Sequence, residues 1–300
     1  MPAAADPVQI PGPKGALEGE AVAVSDAVHA VVIIPGSGPV DRDGNGPPVG
    51  LNSDSYRLLA EGLAEHGVAS IRIDKRGFYG SSAAIEDPND VTIGDYAEDV
   101  RGWVAKARAL APCVWLAGHS EGGLVALAAA ADPPEGLCGL ILIATAGRPM
   151  GQLLIEQVKA NPAMAPLMPE LTSIVADLEA GRTRDPATIS APLQGLFAPG
   201  VQRYMTDLFG HDPVLIAQGW RGPALILQGD RDVQIKPLDA ELLAKAMPQA
   251  ERIDLPGATH MLKADQPGQP FATYTDPALP LHPEALPAIA GFLAKHRKAE

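Results

Sequence analysis

One stretch limits what this 300-residue chain can fold into. From Val114 to Ala117 an apolar run leads into Gly118-His119-Ser120-Glu121-Gly122, and a helix-forming Ala/Leu run follows. Strand, Gly-x-Ser-x-Gly and helix in that order are the sequence form of a nucleophile elbow, a sharp turn that exposes a serine. The glycines suit such a turn because strand and helix pass too close for side chains, while the serine takes a strained backbone conformation. The elbow also puts the Glu121 amide at a helix N-terminus, where developing negative charge is favoured. The competing reading is an ordinary strand-to-helix turn in which Ser120 only caps the helix.

The flanking segments decide what surrounds that turn. Val8–Ile10 and Glu20–Val24 are short extended pieces separated by Pro/Gly turns, a hairpin signal. Ala30–Ile34 is a β-branched run of the kind buried on both faces of a sheet. An amphipathic helix over Ser53–His66, a strand over Ala69–Asp74, a helix over Asp95–Leu110, the elbow and a strand over Leu140–Ile143 follow. From about Arg148 to Gly219 the rhythm changes to helical pieces broken by proline: 150–160, 166–180, 201–209 and 213–218. It resumes with strand 224–228, helix 237–246, strand 250–255 and helix 284–296. Alternating strands and helices imply a mostly parallel central sheet with right-handed crossovers. The expected organisation is an α/β core from residues 1–147 and 220–300, with a helical cap inserted over 148–219. In such sheets ligands gather at the carboxyl ends of the strands.

Composition narrows the function. A net charge of −13 argues against nucleic acid and anionic membrane surfaces as partners. No apolar run is long enough to cross a bilayer. The opening Met1-Pro2-Ala3-Ala4-Ala5-Asp6-Pro7 has neither a basic nor a hydrophobic leader segment, so a cytoplasmic location is expected, although a trimmed export signal would leave the same sequence. Two cysteines, Cys113 and Cys138, make neither a disulfide framework nor a metal site and are expected to be buried thiols. A homodimer is left open.

A serine hydroxyl needs a base, and the base an orienting acid, in the chain order Ser, acid, His for an elbow of this kind. His260 leaves a strand in the small-residue loop Pro256-Gly257-Ala258-Thr259, where it can swing over the elbow. His211 lies in the cap segment, and His282 and His296 are expected to be solvated. The acid is sought in Gln228-Gly229-Asp230-Arg231-Asp232-Val233, where Asp232 is the better candidate and Asp230 is expected to close the turn. Amides near Ser37, in Pro35-Gly36-Ser37-Gly38-Pro39, and of Glu121 suit an oxyanion hole. Asp41-Arg42-Asp43-Gly44-Asn45-Gly46 imitates the start of a calcium loop, but its twelfth position is Asn52 and no helix precedes it. A loop held by Asx turns and by Arg42 is expected instead, and no metal or cofactor is called for. The charges of Asp74-Lys75-Arg76-Gly77 are expected to pair structurally, with substrate contact the lesser alternative.

Taken together, Pro35–Pro39 with Asp41–Asn45, Asp74–Gly77 with Gly80-Ser81, Gly118–Gly122, Gly229–Asp232 and His260 make the chain resemble an α/β-hydrolase with a helical cap. The likeness is to the bacterial esterase-like branch of the serine-aminopeptidase-type hydrolases, and it runs from about residue 31 to 262. It implies Ser120 as nucleophile, His260 as base, Asp232 as acid and the Ser37 and Glu121 amides as oxyanion donors. The expected reaction is cleavage of small carboxylic esters through an acyl-enzyme, with Gly38, His119, Met150, Tyr204 and Phe209 as substrate contacts. Amide, peptide or thioester cleavage on the same triad is the runner-up, and a non-catalytic binding protein on this scaffold is the remaining alternative. A dehalogenase would need Asp in place of Ser120. The Pro-rich segment from Leu262 to Pro283, with Phe271 and Tyr274, reads equally as a pocket wall or a surface loop.

Overall fold

The computed structural model describes residues 5–296. Eight strands form one sheet: β1 (Ala5–Pro11), β2 (Ala16–Val22), β3 (His29–Ile34), β4 (Ala69–Ile73), β5 (Cys113–His119), β6 (Leu137–Ile143), β7 (Ala224–Gly229) and β8 (Glu251–Leu255). Their spatial order is β1-β2-β4-β3-β5-β6-β7-β8. β2 is antiparallel to both β1 and β4, and all other neighbours are parallel. The strand order reverses around β3 and β5, which lie side by side, so the loops leaving their carboxyl ends diverge and open a crevice.

β3 and β5 are buried along their whole lengths, and their alternate residues feed two cores on opposite faces. Val114 and Leu116 face one core, Trp115 and Ala117 the other. Helices α1 (Ser55–Glu65), α2 (Ile93–Ala107) and α3 (Glu121–Ala130) cover the sheet. Helix α2 starts at a capping box in which Thr92 and Asp95 satisfy each other's backbone amides. Residues 144–223 carry helices and no strand: α4 (Met150–Lys159), α5 (Met168–Glu179), α6 (Pro199–Phe209) and α7 (Pro213–Ala217), with single turns between them. Helices α8 (Pro237–Ala246) and α9 (Ala285–Lys295) complete the core.

Several sequence expectations change. The second hairpin strand begins at Ala16 rather than Glu20. Its inward positions are Leu17, Gly19 and Ala21, and the Trp103 indole fills the space beside Gly19, so the apolar alternation is carried partly by a neighbour's side chain. Cys113 and Cys138 are not free thiols; they form a disulfide between β5 and β6. The register of that strand pair shifts between Val114 and Trp115, leaving Cys138 as the extra residue. This brings the two Cα atoms to 5.5 Å, within bridging range. His282 is buried, not solvated, and shares a hydrogen bond of 3.1 Å with the Pro256 carbonyl. His296 packs against the rings of Trp115 and Phe292. No described helix is long and apolar enough to cross a membrane. The expectation of no leader falls partly on residues 1–4, outside the described residues.

Candidate active site

The elbow lies where β5 meets α3. Ser120 has φ 55° and ψ −121°, a conformation that costs a non-glycine residue about 1–3 kcal/mol. It is held by its own amide, which donates to the Ile143 carbonyl at 2.9 Å, and by its carbonyl, which accepts from Gly123 at 3.0 Å. A Cβ on Gly118 would collide with the Gly122 carbonyl, and one on Gly122 with the Ile34 carbonyl of β3. Both glycines are therefore required by close backbone approach.

Asp232 follows β7 and is 3% exposed. One carboxylate oxygen accepts the Gln234 and Ile235 amides at 2.7 and 2.9 Å, and the other pairs with His260 Nδ1 at 2.7 Å. Burial pushes this carboxyl up, but His260 and the two amides outweigh it and the net shift is downward. Ionised, the carboxylate accepts from Nδ1–H, which leaves Nε2 of His260 as the proton acceptor. Asp230 instead accepts the Gly257 amide at 2.7 Å and ties the β7 loop to the β8 loop. Ser120 and His260 face a common cavity of about 240 Å³ that also contacts His119, Tyr56 and Tyr274.

On its other side Ser120 faces a larger cavity of about 400 Å³, lined among others by Ser37, Gly38, Glu121, Met150, Tyr204 and Phe209. One wall comes from α4 and α6, in the helical segment between β6 and β7. Helix α3 begins at Glu121, so that amide has no partner within the helix. The residue preceding Ser37 is held by both its backbone groups: the Gly36 amide donates to the Tyr56 hydroxyl at 3.1 Å, and the Gly36 carbonyl, which shares a peptide with the Ser37 N–H, accepts from Lys75 Nζ at 2.6 Å. Because a trans peptide holds its C=O and N–H on opposite sides, Lys75 directs the Ser37 N–H away from itself and polarises it.

His119 borders the smaller cavity and spends both ring nitrogens on protein. Nε2 lies 2.7 Å from the His260 carbonyl, which can only accept, so Nε2 carries the proton. Nδ1 then accepts from the Tyr56 hydroxyl at 2.8 Å. Burial first, and the neighbouring His260 second, hold the His119 pKa down at about 3. Tyr56 therefore links the Gly36–Ser37 loop, the elbow and the His260 loop. Its place on the apolar face of α1 carries no sequence signal for this role.

The charged turn after β4 pairs internally. Asp74 holds Arg42 through two nitrogens, Arg76 holds Asp95 and Asp99, and Lys75 reaches Glu121 at 3.1 Å. Asp41 accepts the Asp43 and Asn45 amides, an Asx arrangement that shapes the loop beside Ser37. Among the described residues no group of three or more His, Cys, Asp or Glu is placed to hold a metal ion. The segment after His260 divides: Tyr274 lines the smaller cavity, whereas Phe271 is two-thirds exposed.

The family described as serine aminopeptidase, S33, matches residues 49–267. Esterase EstD of Thermotoga maritima is 28% identical over 238 residues, which are 75% of this chain and 52% of that protein. The chain thus spans about half the length of the curated relative it matches. Among solved structures, a thermophilic esterase from Thermogutta terrifontis superposes with a TM-score of 0.60 at 20% identity, covering 98% of this chain and all of that one. The α/β-hydrolase GrgF from a Penicillium species superposes with a TM-score of 0.62 at 20% identity, covering 99% and 100%. At that identity the likeness establishes the α/β-hydrolase fold.

Proposed function

The chain belongs to the serine aminopeptidase (S33) family, and on that premise we propose that it is a serine hydrolase of small carboxylic esters. The observation that carries the reading is the 2.7 Å pairing of buried Asp232 with His260, on a histidine that shares a cavity with the strained Ser120. Ser120 Oγ attacks the ester carbonyl while His260 Nε2 takes its proton. Asp232 holds the tautomer and stabilises the imidazolium, without itself taking the proton. The Ser37 and Glu121 amides receive the oxyanion of the tetrahedral intermediate. His260 then protonates the departing alcohol, and water, activated by the same imidazole, releases the acid from the acyl-enzyme.

The two cavities divide the substrate. His260 must hand its proton to the leaving oxygen, so the alcohol occupies the smaller cavity, which His260 lines. The acyl group occupies the larger, mostly apolar cavity beneath the helices of residues 148–219, which we take as the cap. That the relative EstD is named an esterase supports esters rather than amides as the substrates of this chain. The expected cytoplasmic location and the disulfide pull in opposite directions, because reducing compartments keep thiols reduced. Thiol alkylation in a native extract, read by mass, decides between them.

The test is a comparison of Ser120→Ala with the parent protein on short-chain p-nitrophenyl esters and on aminoacyl p-nitroanilides, together with fluorophosphonate labelling. The expected result is ester turnover by the parent, a loss of at least about 10³-fold in kcat for Ser120→Ala with the fold retained, and labelling only of the parent. Undiminished turnover by the variant removes the nucleophile assignment. A parent that prefers the anilides makes the chain a peptidase. A parent that neither turns over nor labels makes it a binding protein.

A further inference from the structure

The smaller cavity beside His260 has a continuation. A groove of about 330 Å³ shares Val49, Leu51, Gln234 and Tyr274 with it, and is extended by Val233 and Phe271, among others. Six large apolar side chains stand exposed among the described residues, and three of them lie in this groove: Val49 at 63%, Val233 at 57% and Phe271 at 66%. None of the described residues that line it carries a charge. Apolar side chains scattered singly over a surface need no explanation, but a cluster that opens from a cavity holding a nucleophile and its base marks a place for a ligand.

The groove is tied to the loops that carry the site. Val233 and Gln234 directly follow Asp232 in the chain. The Gln234 backbone amide donates to the Asp232 carboxylate at 2.7 Å, and its side chain donates to the Tyr274 hydroxyl at 3.2 Å. Phe271 and Tyr274 belong to the segment that follows His260, with their rings edge-on and 6.3 Å apart between centres. Between them, the Thr273 hydroxyl is bonded at 3.1 Å to that of Thr259, the residue before His260. An apolar group laid in the groove takes itself and three exposed side chains out of water. A charged group there gives up its hydration and meets no opposite charge.

We propose that this groove is the outer half of the alcohol subsite, and that the preferred substrates are esters of extended apolar alcohols. This rests on the acyl-enzyme reading given above, in which the alcohol leaves from the His260 side. The near end of the alcohol fills the 240 Å³ cavity, and its far end lies against Val49, Val233 and Phe271. The segment after His260 then selects the alcohol through Phe271 and Tyr274.

The experiment measures kcat/KM for the acetates of ethanol, butanol, hexanol and octanol, each below its solubility limit, with acid release followed at constant pH. The acyl group is the same throughout and the basicity of the leaving alkoxide hardly changes, so differences report how the alcohol is held in the transition state. A fully buried methylene is worth about fourfold. For a groove open to solvent on one side, octyl acetate is expected to exceed butyl acetate by about tenfold or more. Phe271→Ser and Val49→Ser, both at exposed positions and checked by circular dichroism, are each expected to bring that octyl-to-butyl ratio down by about threefold or more. A parent that gains nothing beyond butyl acetate, while still hydrolysing p-nitrophenyl acetate, overturns the subsite and leaves the esterase reading standing. A ratio unchanged in both variants also overturns it. So does a parent that sediments as a dimer and becomes a monomer in Phe271→Ser, which gives the groove to a second copy of the chain. A parent that hydrolyses neither p-nitrophenyl acetate nor any alkyl acetate fails the esterase reading itself, and the subsite with it.

Discussion

At the scale of single residues, His119 shows how one side chain serves two loops. It belongs to the elbow pentapeptide, yet its ring is fully spent between Tyr56 and the His260 carbonyl. Protonation would put a hydrogen on Nδ1, against the one Tyr56 donates there, and would add charge beside His260. Its pKa accordingly falls from 6.5 to about 3, with burial as the main cause. The folded value lies below that of the unfolded chain. The stability it contributes is therefore complete above about pH 6.5 and is lost as pH falls toward 3, on the order of 1 kcal/mol per pH unit. His119→Gln removes that slope. Urea unfolding of both proteins at intervals between pH 7 and pH 4 measures it, and parallel pH profiles would mean that His119 is not held neutral.

At the scale of elements, the helical segment between β6 and β7 is attached to the core where it begins. Arg148, two residues before α4, reaches Asp239 in α8 through two nitrogens at 3.0 and 2.8 Å, and it also holds Glu156 in α4. The Asp239 side chain is fully buried and accepts the Gly147 amide as well. Removing one partner of a buried pair leaves the other charge unpaired, at about 3–5 kcal/mol. Here the Gly147 and Lys236 amides still reach Asp239, so Arg148→Met is expected to cost less, about 2 kcal/mol. Chemical denaturation gives the number. A loss below about 0.5 kcal/mol, the level of an exposed ion pair, would show that the contact does not anchor the helices.

At the scale of the whole molecule, the Cys113–Cys138 bridge staples β5, the strand that carries the elbow, to its neighbour β6 across 25 residues. Closing a loop of that size in the unfolded chain contributes about 3 kcal/mol in the chain-entropy account. The double variant Cys113→Ala/Cys138→Ala is expected to lose about that much unfolding free energy, and reductant is expected to bring the parent down to the level of the variant without affecting the variant further. A parent indifferent to reductant would mean that the two sulfurs are not joined.

Periodicity along the chain was enough for the sheet, for most helix boundaries within two or three residues, and for the elbow, because both faces of β3 and β5 are buried and the glycines around Ser120 have no substitute. It also led to Asp232 and His260, each just past a strand end, whose side chains the structure brings to 2.7 Å. The disulfide, the Tyr56–His119 link and the Lys75–Glu121 pair were not legible in this way. Each joins residues far apart in sequence, 25, 63 and 46 positions, whose local patterns read as strand, apolar helix face and charged turn. Pairing register, and the side of a peptide on which a lysine lies, come into being only when distant segments pack, so these contacts are properties of the assembled fold rather than of any one segment.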